Sequence, residues 1–246
     1  SALVAGRYAQ QRALSAESSQ VRRQLDLYAQ TLQQRIDRFG TLPQVMALDP
    51  DLQDSLSPPL TDAQRQRLNL KLQRANSVTR TSTLTLIDHR GVAVAASNWD
   101  HPASNGGEDY SYRPYYKQAM AKGTGRFYGI GMTTAVPGYF LSQAIYDADG
   151  KPIGVIAIKI ELRALEQEWL QSTDIVLASD SHDVVFLANG DAWRYRLLRP
   201  LAPAERAEMM ATRQYADRSL KPLEARTLTL LEDGGRMVRV MQPSLS

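Results

Sequence analysis

Two basic side chains stand where a solvated lysine or arginine is not expected. Arg113 precedes a proline within Tyr110-Ser-Tyr-Arg113-Pro-Tyr-Tyr, and Lys159 interrupts the apolar run Gly154-Val-Ile-Ala-Ile-Lys159-Ile. A guanidinium is a planar fork that matches a carboxylate. Strand alternation puts Lys159 on the face of Val155 and Ala157, opposite Ile156, Ile158 and Ile160. Between the two cations lie Gly125-Arg-Phe-Tyr-Gly-Ile-Gly-Met-Thr133-Thr134 and Pro137-Gly-Tyr139-Phe-Leu-Ser142. Short hydroxyls in a Gly-rich turn can reach a bound anion, and the tyrosines add donors and walls. Together these residues describe a small pocket with two cationic anchors and several hydroxyls. That chemistry suits a small dianion, not a sugar or an apolar ligand. Each residue also has a plainer reading: a snorkelling lysine, a helix-start salt bridge, tyrosines that only pack.

Other chemistry finds little support. His89, His101 and His182 fall in predicted turns or loops, and no His-x-x-x-His or Glu-x-x-His spacing offers a metal site. No Gly-x-Ser-x-Gly elbow accompanies Asp88-His89. The glycines at 123, 125, 129 and 131 form neither Gly-x-Gly-x-x-Gly nor a Walker A loop. There are no cysteines, so disulfides, Cys-zinc sites and thiol catalysis are excluded. No cofactor is implied. The net charge of +3 sits in residues 1–100, which hold 12 Lys and Arg against 9 Asp and Glu. No element concentrates the positive charge, which argues against nucleic acid as a partner. No apolar run reaches the ~18–20 residues of a membrane span, and no signal peptide is evident.

The elements that must position the two cations follow from periodicity. With 246 residues, 43% of them hydrophobic, the chain is long enough for one large domain or two small ones. From Arg7 to Phe39 there is neither Gly nor Pro, and Val21, Leu25, Tyr28, Leu32, Ile36 and Phe39 mark one helical face up to Gly40. Short helices are predicted at Pro43–Leu48 and Thr61–Val78. A strand–turn–strand is expected across Thr81–Ala96, with its turn at Asp88-His-Arg-Gly91. A helix at Tyr112–Ala121 and strands at Gly125–Ile130, Tyr139–Tyr146 and Ile153–Ile160 complete a first set, the last two strands joined at Asp149-Gly150. After a helix near Leu162–Gln171 the layout repeats. It has a turn at Asp180–Asp183, a helix at Pro203–Tyr215 and a closing hairpin of Arg226–Leu231 and Arg236–Met241. The paired hairpin turns are 61 residues apart in the first set and 53 in the second. Duplicated antiparallel α+β modules are the expected architecture.

Arg113-Pro-Tyr-Tyr, Gly125-Arg-Phe-Tyr-Gly and Pro137-Gly-Tyr-Phe-Leu-Ser resemble the extracytoplasmic sensor region of C4-dicarboxylate sensor histidine kinases of the DctB type. Tyr195-Arg-Leu-Leu-Arg-Pro and Arg213-Gln-Tyr-Ala-Asp look like that family's membrane-proximal module. The resemblance implies an α+β fold with a long N-terminal helix at 1–40 and two tandem PAS-like (PDC/dCACHE) modules. These are a membrane-distal ligand-binding module at 41–166 and a proximal one at 167–246. It implies that Tyr110 and Arg113 grip one carboxylate, that Thr133 and Thr134 lie in the pocket turn, that Lys159 meets the second charge and that Tyr139 forms a wall. Succinate, fumarate or malate is the implied ligand, with a C5 2-oxo acid such as 2-oxoglutarate as the alternative. The implied setting is the periplasmic part of an inner-membrane kinase, homodimeric through the N-terminal helix. Flanking membrane helices and a cytoplasmic phosphotransfer part would lie outside this sequence. A chemoreceptor or diguanylate cyclase ectodomain would share the build, and an extracellular hydrolase is a more distant alternative.

Overall fold

A computed structural model describes residues 23–24, 26–56, 60–172 and 175–223, together with the backbone of 237–241. Most of the long N-terminal helix and the Arg226–Leu231 strand expected from sequence lie outside the described residues. Residues 26–37 are helical and form α1. The chain divides into two compact units. One comprises 36–162 and 202–218. The other comprises 1–35, 163–201 and 219–246.

The first unit is built on a five-stranded sheet of order β2-β1-β5-β4-β3. Its strands are β1 (Thr83–Asp88), β2 (Ala93–Ala96), β3 (Thr124–Ile130), β4 (Pro137–Tyr146) and β5 (Pro152–Ile160), all paired antiparallel. Short helices α2 (Leu42–Ala47) and α3 (Pro50–Asp54) precede α4 (Asp62–Thr79), and α5 (Pro114–Lys122) enters between β2 and β3. Helix α4 starts at a capping box. The Thr61 hydroxyl accepts from Gln64 N–H, and the Gln64 side chain accepts from Thr61 N–H. Helix α5 starts where Pro114 forbids helical geometry to its predecessor, so Arg113 stays extended at φ −74°, ψ 134°. Leu84, Leu86, Ile156 and Ile158 on β1 and β5 are fully buried. A second cluster joins Ile87, Val155 and Ala157 to Tyr115, Tyr116 and Ala119 of α5.

In the other unit, β6 (Ile175–Ser179) pairs antiparallel with β7 (Val185–Ala188), and β10 (Met237–Met241) lies on the far side of β6, parallel to it. Two-residue strands β8 (Arg196–Leu197) and β9 (Lys221–Pro222) also pair in parallel. Helix α6 (Arg163–Trp169) buries Leu165 and Trp169. Helix α7 (Pro203–Thr212) belongs to the first unit.

The internal repeat is visible at the level of single hydrogen bonds. Asp88 Oδ1 accepts from the N–H of Arg90 and Val92, and Asp180 Oδ1 accepts from those of His182 and Val184. Leu84 and Ser97 exchange bonds at the open end of one hairpin, as Val176 and Asn189 do in the other. Each pair of equivalents is 92 residues apart (88 to 180, 97 to 189). A carboxylate that satisfies two turn amides contributes about 1.5–3 kcal/mol per charge-assisted bond. Asp180→Ala is therefore expected to lower the melting temperature by several degrees in calorimetry. An unchanged transition would show that the turn forms without its carboxylate.

Candidate functional site

Register brings the expected residues together. Lys159 of β5 lies between Thr83 of β1 and Phe140 of β4, and Phe140 in turn pairs with Phe127 of β3. In the next row, Ala157 lies between Thr85 and Ser142. Side chains in one such row share a face. On that face a small cavity, partly open to solvent, is lined by Tyr110, Arg113, Thr133, Thr134 and Lys159. Tyr139, expected as a wall, lies outside the lining. It pairs with Tyr128 and Ile160 in the neighbouring rows, whose side chains take the other face, and Phe140 supplies the wall instead.

Both cations are inside. Arg113 is 1% exposed and Lys159 3%. The Lys159 ammonium donates to Thr134 Oγ1 at 2.9 Å, and burial pushes its pKa down to about 8. Glu161, close enough in charge to oppose that shift, is itself bonded to the Ser82 hydroxyl at 2.7 Å. The Arg113 guanidinium packs over the rings of Phe127, Phe140 and Tyr115, with centroids 5.0, 5.5 and 5.9 Å away. Tyr115 and Phe140 stack on one another at 4.9 Å. Its nitrogens donate to backbone carbonyls of Ile130, Thr212 and Arg213, while Nε is buried without a partner. Among the described residues neither cation has a carboxylate in ion-pair contact.

A relay of neutral groups closes the remaining wall. Asn105 Nδ2 donates to Thr85 Oγ1 at 2.8 Å, Thr133 Oγ1 donates to Asn105 Oδ1 at 2.6 Å, and Tyr110 bonds Thr133. Burial raises the phenols of Tyr110 and Tyr115 above the ordinary tyrosine value, so both stay neutral donors. Thr83, Thr85, Asn105 and Phe140 are lining residues that sequence reasoning missed. The period-2 pattern of Thr83-Leu-Thr85-Leu carried a signal for the two threonines. Asn105 sits in an irregular loop and carried none.

Glycines make the buried lysine possible. A Cβ at Gly138 would stand 2.7 Å from Lys159 Cε, and one at Gly131 would stand 2.9 Å from Nζ. Any larger residue at either position displaces the ammonium or its stem.

The sheet order, the flanking helices and the hairpin repeated 92 residues on define a class, the tandem PAS-like sensor fold. Comparison with known proteins makes this specific. Over 241 residues, 98% of its length, the chain is 31% identical to the C4-dicarboxylate transport sensor protein DctB of Rhizobium meliloti, of which it spans 38%. It is 32% identical over 206 residues to the protein of the same name from Pseudomonas aeruginosa, covering 84% of this chain and 34% of that protein. The crystal structure of the V. cholerae histidine kinase DctB sensor domain superposes with a TM-score of 0.78 at 29% identity, covering 87% of this chain and 81% of that one. No family model matches. The chain belongs with the DctB-type sensor regions. It spans little more than a third of the curated relatives' length. Among the described residues no helix is long and apolar enough to cross a membrane.

Proposed function

We propose that the chain is the extracytoplasmic ligand-binding part of a membrane histidine kinase and that its cavity takes a C4-dicarboxylate such as succinate, fumarate or malate. One observation carries this reading: two buried cations line one small cavity with no carboxylate against either among the described residues. An isolated buried charge is costly, and a dianion spanning both offsets that cost at each end. The neutral relay of Tyr110, Thr133, Asn105 and Thr85 adds donors without adding charge. The names of the relatives, C4-dicarboxylate transport sensor proteins, agree with this chemistry. In the same reading the region is periplasmic, phosphotransfer belongs to a cytoplasmic part of the parent kinase, and two copies pair through the N-terminal helix. The membrane-distal module is the one that holds the cavity.

Thermal unfolding tests the ligand class. A ligand at 100 times its Kd adds about 2.7 kcal/mol of stability. At roughly 2–4 °C per kcal/mol for a chain of this size, succinate raises the melting temperature by about 5–10 °C. Butyrate, with one carboxylate, raises it less than half as far. Equal shifts from mono- and dicarboxylates would remove the two-anchor reading, and a larger shift from 2-oxoglutarate would move the ligand to the C5 class.

A further inference from the structure

Residues 202–218 are separated from the rest of the cavity-bearing unit by residues 163–201, yet fold into it. Helix α7 ends where Arg213 turns left-handed at φ 49°, and Ala216 does the same at φ 49°. Neither residue is a glycine or an asparagine, so the backbone here is strained and needs anchoring. Arg113 Nη1 donates to the carbonyls of Thr212 and Arg213, each at 3.0 Å, and Nη2 donates to that of Ile130 at 2.9 Å. The Ile130 N–H donates to the Gln214 carbonyl at 2.8 Å, which fastens the edge of β3 to the same turn. The Arg213 guanidinium stands 5.3 Å from the Tyr112 ring, and the buried Tyr215 ring tilts against Tyr128. A guanidinium suits this position because a helix C-terminus presents orphan carbonyls and the negative end of its dipole.

The same guanidinium lines the cavity with its Nε unpartnered. One buried cation thus faces the anion site and also fastens a strained turn. We propose that the Thr212–Gln214 turn is a positioning element of the ligand site, coupled to the bound dicarboxylate through Arg113. The proposal rests on the dicarboxylate reading above. A carboxylate accepting from Nε completes the bonding of the guanidinium and fixes its plane, so the turn carbonyls are held more firmly when the cavity is filled. Linkage makes the coupling reciprocal: a turn that is in place favours the ligand by the same factor. Because residues 202–218 join the other unit covalently at both ends, a filled cavity gains a route to that unit along the chain.

Hydrogen exchange on the whole chain, with and without succinate, tests the coupling. The N–H groups of Arg213 and Gln214 donate to the carbonyls of Met210 and Met209, so their exchange reports on the turn. Succinate is expected to slow them at least about fivefold while leaving residues 184–188 unchanged. Tyr215 is not a cavity-lining residue, and Tyr215→Ala is expected to weaken succinate binding at least about fivefold in calorimetric titration. If the wild type binds succinate with no change of exchange in the turn, the coupling falls and the dicarboxylate reading stands. The same holds if a folded Tyr215→Ala protein binds at wild-type affinity. If the wild type binds no C4 diacid, both fall. Should Tyr215→Ala fail to fold, Tyr215→Leu, which keeps an apolar side chain in place and loses the ring, takes its place in the same comparison.

Discussion

Replacing Lys159 by methionine makes the unliganded protein more stable and its dicarboxylate binding at least about 100-fold weaker. The two effects share one cause. Within the cavity the ammonium is 3% exposed, bonded to Thr134 Oγ1 and without a carboxylate against it among the described residues. Burying such a charge disfavours folding, and a methionine of similar length fills the same channel past Gly138 without that cost. With a dicarboxylate bound, the balance reverses. Removing one partner of a buried ion pair typically costs 3–5 kcal/mol, because the remaining charge is left unpaired, and ~2.7 kcal/mol is already a factor of about 100. Thermal unfolding of the empty variant and calorimetric titration with succinate measure the two halves separately. A variant that is less stable, or that binds as the wild type does, would show that Lys159 is a packing residue and that the second anchor lies elsewhere.

The place of Lys159 was legible because a strand has only two faces. A single basic residue among Val155, Ala157 and three isoleucines must go to one of them, and the Thr83↔Lys159 and Lys159↔Phe140 registers confirm the face. Arg113 was legible for a similar reason, since Pro114 both starts α5 and holds the preceding residue extended. Tyr139 shows the limit. Sequence marks an aromatic pair, Tyr139-Phe140, but the pairing of β4 decides which of the two faces the cavity, and pairing is a long-range property. The same limit hides Asn105, which reaches Thr85 and Thr133 from a loop that no periodicity defines. It also hides the destination of α7. Its helical pattern and Pro203 start were plain in the sequence, but nothing local says that residues 202–218 pack with residues 36–162. Arg213-Gln-Tyr-Ala-Asp, which resembles a stretch of a membrane-proximal module, therefore folds with the cavity-bearing unit. The parallel pairing of β10 with β6 was equally invisible, since composition does not distinguish the two senses in so short a strand.

Dicarboxylate affinity is expected to hold steady near neutral pH, where both ligand carboxylates and Lys159 are ionised, and to fall as the solution becomes more alkaline, because the second anchor must be charged to meet the second carboxylate. Among the groups that surround it the Lys159 pKa lies at about 8, lowered first by burial and further by the nearby Arg113 cation. Above that value each binding event must also return a proton to the amine, so affinity drops up to about tenfold per pH unit until the pKa of the liganded form is reached. No other group in the cavity competes for the effect. Burial keeps the Tyr110 and Tyr115 phenols protonated well into the alkaline range, and Arg113 does not lose its charge. The stability of the empty protein responds with the opposite sign. In the unfolded chain a lysine keeps its proton to about pH 10.4, so between about 8 and 10.4 the unfolded state binds more protons than the folded one. Relative to the Lys159→Met protein, the empty wild type therefore gains stability as pH rises through that window and loses it as pH falls back through 8. The two trends converge on one measurement: the increment in melting temperature produced by succinate shrinks from pH 7 to pH 9.5 in the wild type and stays flat in Lys159→Met. Titrations in buffers of different ionisation enthalpy add the proton itself, with uptake near zero at pH 6.5 and approaching one per ligand at pH 9. An increment that is constant across this range in the wild type, with no proton uptake, would mean that the ammonium does not meet the anion, and the charge opposite the second carboxylate would have to come from Arg113 alone.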